Sequence, residues 1–565
     1  MTIDKQRKSL HWFLNLVKQR RVTYEDLNIQ GPPPAQESIM NIMSYNYIPS
    51  EEQMQSVKKN FVFHISQVLL KYIKFIQEAN IHYPEYITHP FMEKTKKKST
   101  VLNCDLIEES ENSNTAMITI LEKVHEMVVP HLNNEISQKV VFGGDVLTNI
   151  RAFTAQEAMQ NNDTPFDCVL GIIHRPEGLH RQFNFLSVIY KLFYKEGSAR
   201  DQGSLYNLRN VINRRDVTGP DDVVKKFRPH HHFIDDVLDA YIVGTFLDQM
   251  GMDMMDGQPT TPVLLDLMSD DCKVKWLNGV ATQVVNELNI CDCTHFNQLR
   301  SDLQVLSSDD IELDAMRSDT GEFKCRFCKK SYKGLACFRK HLRSKHNWEF
   351  HTVNTNIDAT NSVHHFLFMA LLFRDTVDSY RLGDGDRIIT NAYFEWLYDA
   401  SLKHTHYKQW LWRMISYVIS LLGFKESFEY KWNMTVNLKG GVHNNIPNDN
   451  CVELQVNNIK KELDTQGANK SFKSAKTIAM TTQVVDSIKQ ELIRTTKTAR
   501  SKGDRPTVDK CKDVHQMVVC LRKQGLVREL TWPSFSTFKD PIQCIDAQNL
   551  HIWINQNKKI ANMYL

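Results

Sequence analysis

Between residues 51 and 80 the apolar side chains Val57, Phe61, Phe63, Ile65, Val68, Leu69, Tyr72, Ile73 and Ile76 return mostly every three or four positions. That period predicts a long helix with one buried face. The same spacing recurs over residues 179–194, 233–250, 274–288 and 359–377, and each stretch predicts a further helix. Two shorter apolar runs differ: residues 139–145 (KVVFGGD) and 168–173 (CVLGII) read as buried strands, each followed by helix-like sequence. Strands near the start and helices afterwards predict an α/β protein that is predominantly helical. Residues 93–115 surround one short apolar piece with a Lys cluster and an acidic, Ser/Asn-rich run, which predicts an exposed linker. Residues 1–92 then form a helical N-terminal region. No repeat of 20–50 residues is present, which argues against a solenoid or a tandem array.

Length and charge narrow the function classes. At 565 residues the chain can bury a sizeable core, because a domain needs only about 150 residues. With 69 Lys+Arg against 66 Asp+Glu the formal charge is +3, too near balance for the whole surface to attract a polyanion, so a nucleic-acid contact must be local. The longest apolar run, residues 366–373 (FLFMALLF), is far below the ~18 residues of a membrane span. The opening residues lack the apolar segment of a signal peptide. The expectation is a soluble intracellular chain without a membrane partner. Its 12 cysteines are scattered, and in a reducing compartment a close pair more often binds metal than forms a disulfide.

One close pair stands out. Cys325 and Cys328 are followed after twelve residues by His341 and after four more by His346. Two thiolates and two imidazoles at this spacing can close a tetrahedral Zn2+ shell, the first pair from a turn and the second from successive turns of a helix. Phe323, Tyr332 and Phe338 fall where a small ββα zinc finger places its apolar core. A unit of this size is too small to fold on packing alone, so the metal supplies most of its folding free energy. Cys337 lies within the predicted helix and reads as a bystander. From Gly321 to Trp348 nine Lys or Arg face a single acid, Glu322, a net +8. That charge can neutralise phosphates. With His341 at the seventh helix position, the base-reading places are Gly334, Cys337 and Lys340. Arg339, Lys340, Arg343 and Lys345 are the candidate DNA or RNA contacts.

A second region carries candidate chemistry: Gly143-Gly144-Asp145, with Thr148 and Arg151 following, places an acid at a strand end, where a hard cation such as Mg2+ could be held. The run from Gly144-Asp145 through His180 and Asn184 to Leu208-Arg209-Asn210, and then Trp432, Asn437, Gly440, Asn445-Ile446-Pro447, Asp449, Glu453, Asn457 and Gly467-Ala468-Asn469, resembles a large eukaryotic domain family of unknown function found in transposon-like genes. The likeness extends roughly from Ser56 to Leu550. It implies a transposase ancestor with a ribonuclease-H-like core carrying a large helical insertion. In such enzymes three carboxylates hold two divalent ions, and the resemblance assigns Asp145, Asp449 and Glu453 to that part. Two departures point to incomplete chemistry: Gly178 stands where members often carry an acid two residues before the matching histidine, with Glu177 displaced by one. The chain also begins only nine residues before Leu10-His11-Trp12-Phe13, too close for the family's upstream acidic strand.

Other features read more plainly. His230-His231-His232 with Asp235, Asp236 and Asp239 reads as a helix start, and Cys291-Asp-Cys293-Thr-His295 lacks a fourth ligand. Residues 381–387 read as a turn, and Lys94 with Lys96 to Lys98 as a solvated charge run. Trp396, Tyr407, Trp410, Trp412 and Tyr417 read as core. The expected plan is a first conserved block over 116–319, a zinc finger over 320–348, a second block over 349–550 and a tail over 551–565. The expected function is that of a nuclear, nucleic-acid-associated protein of transposon origin. A metal-dependent DNA-strand transferase or nuclease and a zinc-stabilised protein-interaction scaffold are the alternatives.

Overall fold

The computed structural model describes residues 12–563 except 30, 32, 291–293, 319, 350–361, 403, 468–469, 497–509, 524 and 526–544. Helix Glu51–Tyr72 begins where the Ser50 hydroxyl accepts the Gln53 N–H and the Gln53 side chain accepts the Ser50 N–H, a reciprocal cap that satisfies two otherwise orphaned donors. Ile73 is extended, and the helix resumes over Lys74–Glu78, so the expected single helix is two. Phe61, Ile65 and Leu69 are fully buried where this helix packs on helices Phe227–Gln249, Asp270–Glu287 and Ser362–Leu382.

Helix Ser362–Leu382 contains the run 366–373, every residue of it buried. A helix apolar on all faces must lie inside a bundle. It is surrounded by helices Glu51–Tyr72, Gly178–Phe193, Phe227–Gln249 and Gly385–Ser401. The centre also holds paired charges. Arg387 meets Asp375 at 3.0 Å and Asp378 at 2.6 Å, and His64 meets Asp375 at 3.0 Å. Of residues 381–387, expected to be a turn, only Gly383 and Asp384 lie between helices, and Asp384 caps Gly385–Ser401. Trp396, Trp410 and Trp412 are buried as expected.

The protein is predominantly helical with small sheets. Among the described residues every sheet has two strands, so the larger sheet of a ribonuclease-H-like core is not among them. One pair is parallel: Val140–Gly144 runs beside Ile172–Pro176, with helix Val146–Ala158 between them in sequence. The second strand starts four residues later than the expected 168–173, because Val169 adopts φ 56 in a turn that an extended strand cannot accommodate.

Three expected boundaries are corrected. The 93–115 segment is not simply a linker: Val101–Ile107 pairs antiparallel with Phe13–Lys18, its alternation hidden by Asn103 and Asp105. Among the described residues, the first element of the 1–92 region is accordingly a strand. The 551–565 tail instead belongs to helix Ala547–Met563, whose Leu550 and Ile554 are buried in the main core.

Candidate functional site

The metal-ligand spacing folds into a compact ββα unit. Strands Phe323–Lys324 and Ser331–Tyr332 pair antiparallel, and helix Leu335–His346 follows, placing His341 seventh in that helix. Phe323 and Phe338 stack at 5.4 Å, and Tyr332 packs on their cluster. Ligand atoms of Cys325, Cys328, His341 and His346 all lie within 4.8 Å of one another. Zn–S near 2.3 Å and Zn–N near 2.0–2.1 Å give tetrahedral edges of about 3.3–3.8 Å, and Cys328 Sγ stands 3.2 Å from His341 Nε2. His346 Nε2 is buried with no hydrogen-bond partner. A cation at the centre would satisfy this orphaned nitrogen, so the donor set fits zinc.

The unit is continuous with the protein body. Leu313 and Met316, at the end of helix Thr294–Asp314 and just beyond it, complete its apolar cluster. Arg339 reaches Asp310 of that helix at 2.7 Å, and Asp310 also takes His551 at 2.8 Å. Arg339 is thus held against the body, whereas Gly334, Cys337 and Lys340 are exposed on the helix, as are Arg343 and Lys345.

The resemblance-assigned acids meet elsewhere. Gly144 and Pro176 are in register on the parallel strands, so Asp145 and Glu177 follow at the same end, where open α/β sheets place ligands. Asp145 caps helix Val146–Ala158 by accepting the Thr148 N–H at 2.6 Å. Thr148 in turn donates to Glu111 at 2.8 Å. Asp449 sits in the first turn of helix Asn448–Thr465. Its buried carboxylate accepts the N–H groups of Leu179 at 2.9 Å and His180 at 3.0 Å, with His180 Nδ1 also at 3.0 Å. Helix Gly178–Phe193 has no side-chain cap of its own at Glu177, and Asp449 supplies one from 270 positions further along the chain. Burial alone would pull the His180 imidazole down. The Asp449 bond and charge, with Asp145 and Glu453 nearby, push it above its ordinary value.

Asp449 thus contacts His180, while Asp145 and Glu453 act on it by charge alone; Asp449 is buried, Asp145 half-buried and Glu453 exposed. Among the described residues, however, the Cys/His quartet is the only group of three or more such ligands close enough to hold one metal ion. The acids do not form another.

Sequence reasoning passed over the cations beneath them. Lys18 is half-buried and donates to Asn433 O at 2.7 Å and Asn448 Oδ1 at 3.0 Å. Burial, then the charge of Arg175, pushes its pKa well down. Arg175 pairs with Glu177 at 2.8 Å, and Asn448 donates to both Glu177 oxygens at 3.1 Å. Burial nevertheless pushes the Glu177 carboxyl up. The signal was the lone Lys closing the apolar strand FLNLVK.

The position where the resemblance leads one to expect an acid, Gly178, is closed in this chain. A Cβ on Gly178 would lie 2.2 Å from the Tyr380 ring, a rigid and buried neighbour. Gly178→Asp is expected to lose at least about 1–3 kcal/mol, the usual cost of overpacking, and to gain no metal affinity. Urea unfolding and Mn2+ titration check both.

The remaining features are structural where they are described. His230 to His232 lie inside helix Phe227–Gln249 and do not cap it: His230 bonds Lys226 O at 2.8 Å and His231 meets Asp235 at 3.3 Å. Lys94 pairs with Asp26 at 2.9 Å. Cys291 and Cys293 lie outside the described residues, as do Leu10, His11, Ala468 and Asn469. No helix among the described residues is long and apolar enough to cross a membrane.

The fold and site define a helical protein in which two sequence blocks share one polar junction and a Cys/His quartet stands between them. A model of the family of unknown function DUF6589 matches residues 40–505, most of the chain, and the protein belongs to that family. Comparison with curated proteins finds no match, and none is found among solved structures.

Proposed function

We propose that this is a zinc-binding, transposon-derived nuclear protein that associates with DNA or RNA through its Cys2His2 finger, its transposase chemistry being incomplete. The observation that carries the reading is the convergence of Cys325, Cys328, His341 and His346 within 4.8 Å on a unit of strongly positive charge. Bound zinc would fix the fold of this unit. The exposed Gly334, Cys337 and Lys340 edge then offers backbone and lysine contacts to phosphate, while a lone finger spans only about three base pairs. Sequence-tolerant binding follows.

The test is affinity for duplex DNA and for RNA across a salt series. Phosphate contacts predict a steep linear fall of log affinity with log salt, and each contacting lysine removed lowers the slope by about 1. Lys340→Ala and Lys345→Ala together should lower it by about 2. Absence of binding, or a flat response, favours the scaffold reading.

The strand-transferase reading draws support from Asp145, Asp449 and Glu453, whose charges all act on His180. Against it, Asp449 spends its oxygens on four N–H donors and Glu177 is paired with Arg175. Mg2+-dependent nicking by the wild type, lost in Asp145→Ala, would establish that reading in place of the incomplete one.

A further inference from the structure

A cavity of about 100 Å³ lies away from both the quartet and the junction, between helices Val146–Ala158 and Thr405–Ser416 and the start of strand Ile172–Pro176. That is several times the roughly 30 Å³ a water molecule occupies in the liquid. Its walls are mixed: Phe153, Ile172, Ile173, Leu421 and Leu422 form an apolar side, and Lys139, Gln156, Glu157, Gln160 and Arg413 a polar one. Tyr417–Leu421 is a π-helical turn, a rare element that recurs at functional sites because it widens the helix and re-aims its side chains.

Arg413 lines this cavity although the residue is only 5% exposed. Its guanidinium lies over the Phe153 ring at 3.7 Å and near Trp410 at 5.2 Å. No hydrogen bond or ion pair joins that guanidinium to any described residue. Glu157 also borders the cavity, half-buried, but makes no ion pair with it. The neighbouring His174 is pushed down to about 3, by burial first and by the Arg413 charge second, so its ring is neutral. The other buried arginines that bear on the fold each have carboxylates: Arg181 has Glu395, and Arg387 has Asp375. A buried cation without an anion is unfavourable, and stacking on Phe153 replaces only part of its hydration. The ring also fixes the plane of the guanidinium, presenting a rigid fork of N–H donors that matches a carboxylate bidentately.

We propose that this cavity binds a small organic carboxylate with an apolar body, its carboxylate paired to Arg413 and its body against Ile172, Tyr417 and Leu421. Gln160 and Lys139 on the rim add polar groups beside the charge, whereas the Gln156 amide is engaged with Val169 and His174. The apolar side of the lining favours an acid with an apolar body over an inorganic anion, which would have to shed water against Ile172 and Leu421.

Benzoate serves as the probe, titrated by calorimetry into the full-length protein, with inorganic phosphate at equal ionic strength as the second arm. Saturable binding of benzoate at one site and none of phosphate is expected. Arg413→Met should weaken benzoate at least tenfold while leaving the circular dichroism unchanged, since it removes an unpaired buried charge. Leu421→Trp, which fills the apolar end but keeps the cation, should also weaken it. No saturable benzoate binding, equal binding by the Arg413→Met protein, or binding of phosphate alone would each overturn the assignment.

Discussion

Replacing Cys328 with serine is expected to abolish stoichiometric zinc and to unfold residues 323–346 while the helical bundle persists. Metal binding in small Cys2His2 units carries about 10–16 kcal/mol of apparent free energy near neutral pH. The aromatic cluster of Phe323, Tyr332 and Phe338 cannot replace it. The effect should spread along one path. Leu313 and Met316 share that cluster, so the end of helix Thr294–Asp314 loses its cover. Arg339 would release Asp310, leaving that carboxylate to His551 and Asn555. Hydrogen exchange should therefore quicken over residues 310–348, weakly near 551 and not in helix Ser362–Leu382. Elemental analysis of the wild type should find one zinc per chain. A metal-free wild type with the same exchange pattern would remove zinc from the account.

How far the sequence foretold this arrangement depends on the range of the forces involved. The quartet was legible because its determinants lie within 22 positions, and metal geometry constrains spacing tightly. The helices around Phe366 and Phe61 were legible from periodicity alone. Strand Val101–Ile107 was not, since its partner Phe13–Lys18 is some ninety residues away and the strand buries Asn103 while exposing Leu102, against the usual apolar-in pattern. Nor was the role of Asp449. Nothing near it in sequence announces that it caps a helix beginning at Gly178, because the missing cap is a property of Glu177. The resemblance named Asp449 for metal chemistry. Its position and bonds give it a second part in the fold, joining the two blocks.

That part predicts a large loss on removal. Asp449→Ala strips the acceptor from the backbone N–H groups of Leu179, His180 and Asn450 and from the His180 ring at a buried place. Breaking a buried charged pair costs about 3–5 kcal/mol, and chemical denaturation should read a loss of that order. Asp449→Asn keeps the shape and one acceptor oxygen, so its loss should be smaller, about 1.5–3 kcal/mol for the charge-assisted bonds. The two variants also separate through pH. His180 is raised in the folded protein by Asp449, against the pull of burial, while its unfolded value is near 6.5. The ion pair therefore contributes fully below about pH 6.5 and is lost as pH rises through the higher folded value. Relative to wild type, Asp449→Asn should be most destabilised at pH 6 and less so at pH 8.5, with His180→Gln showing the same trend. A deficit that stayed constant over this range would mean that the carboxylate acts on the backbone donors alone, with His180 as a bystander.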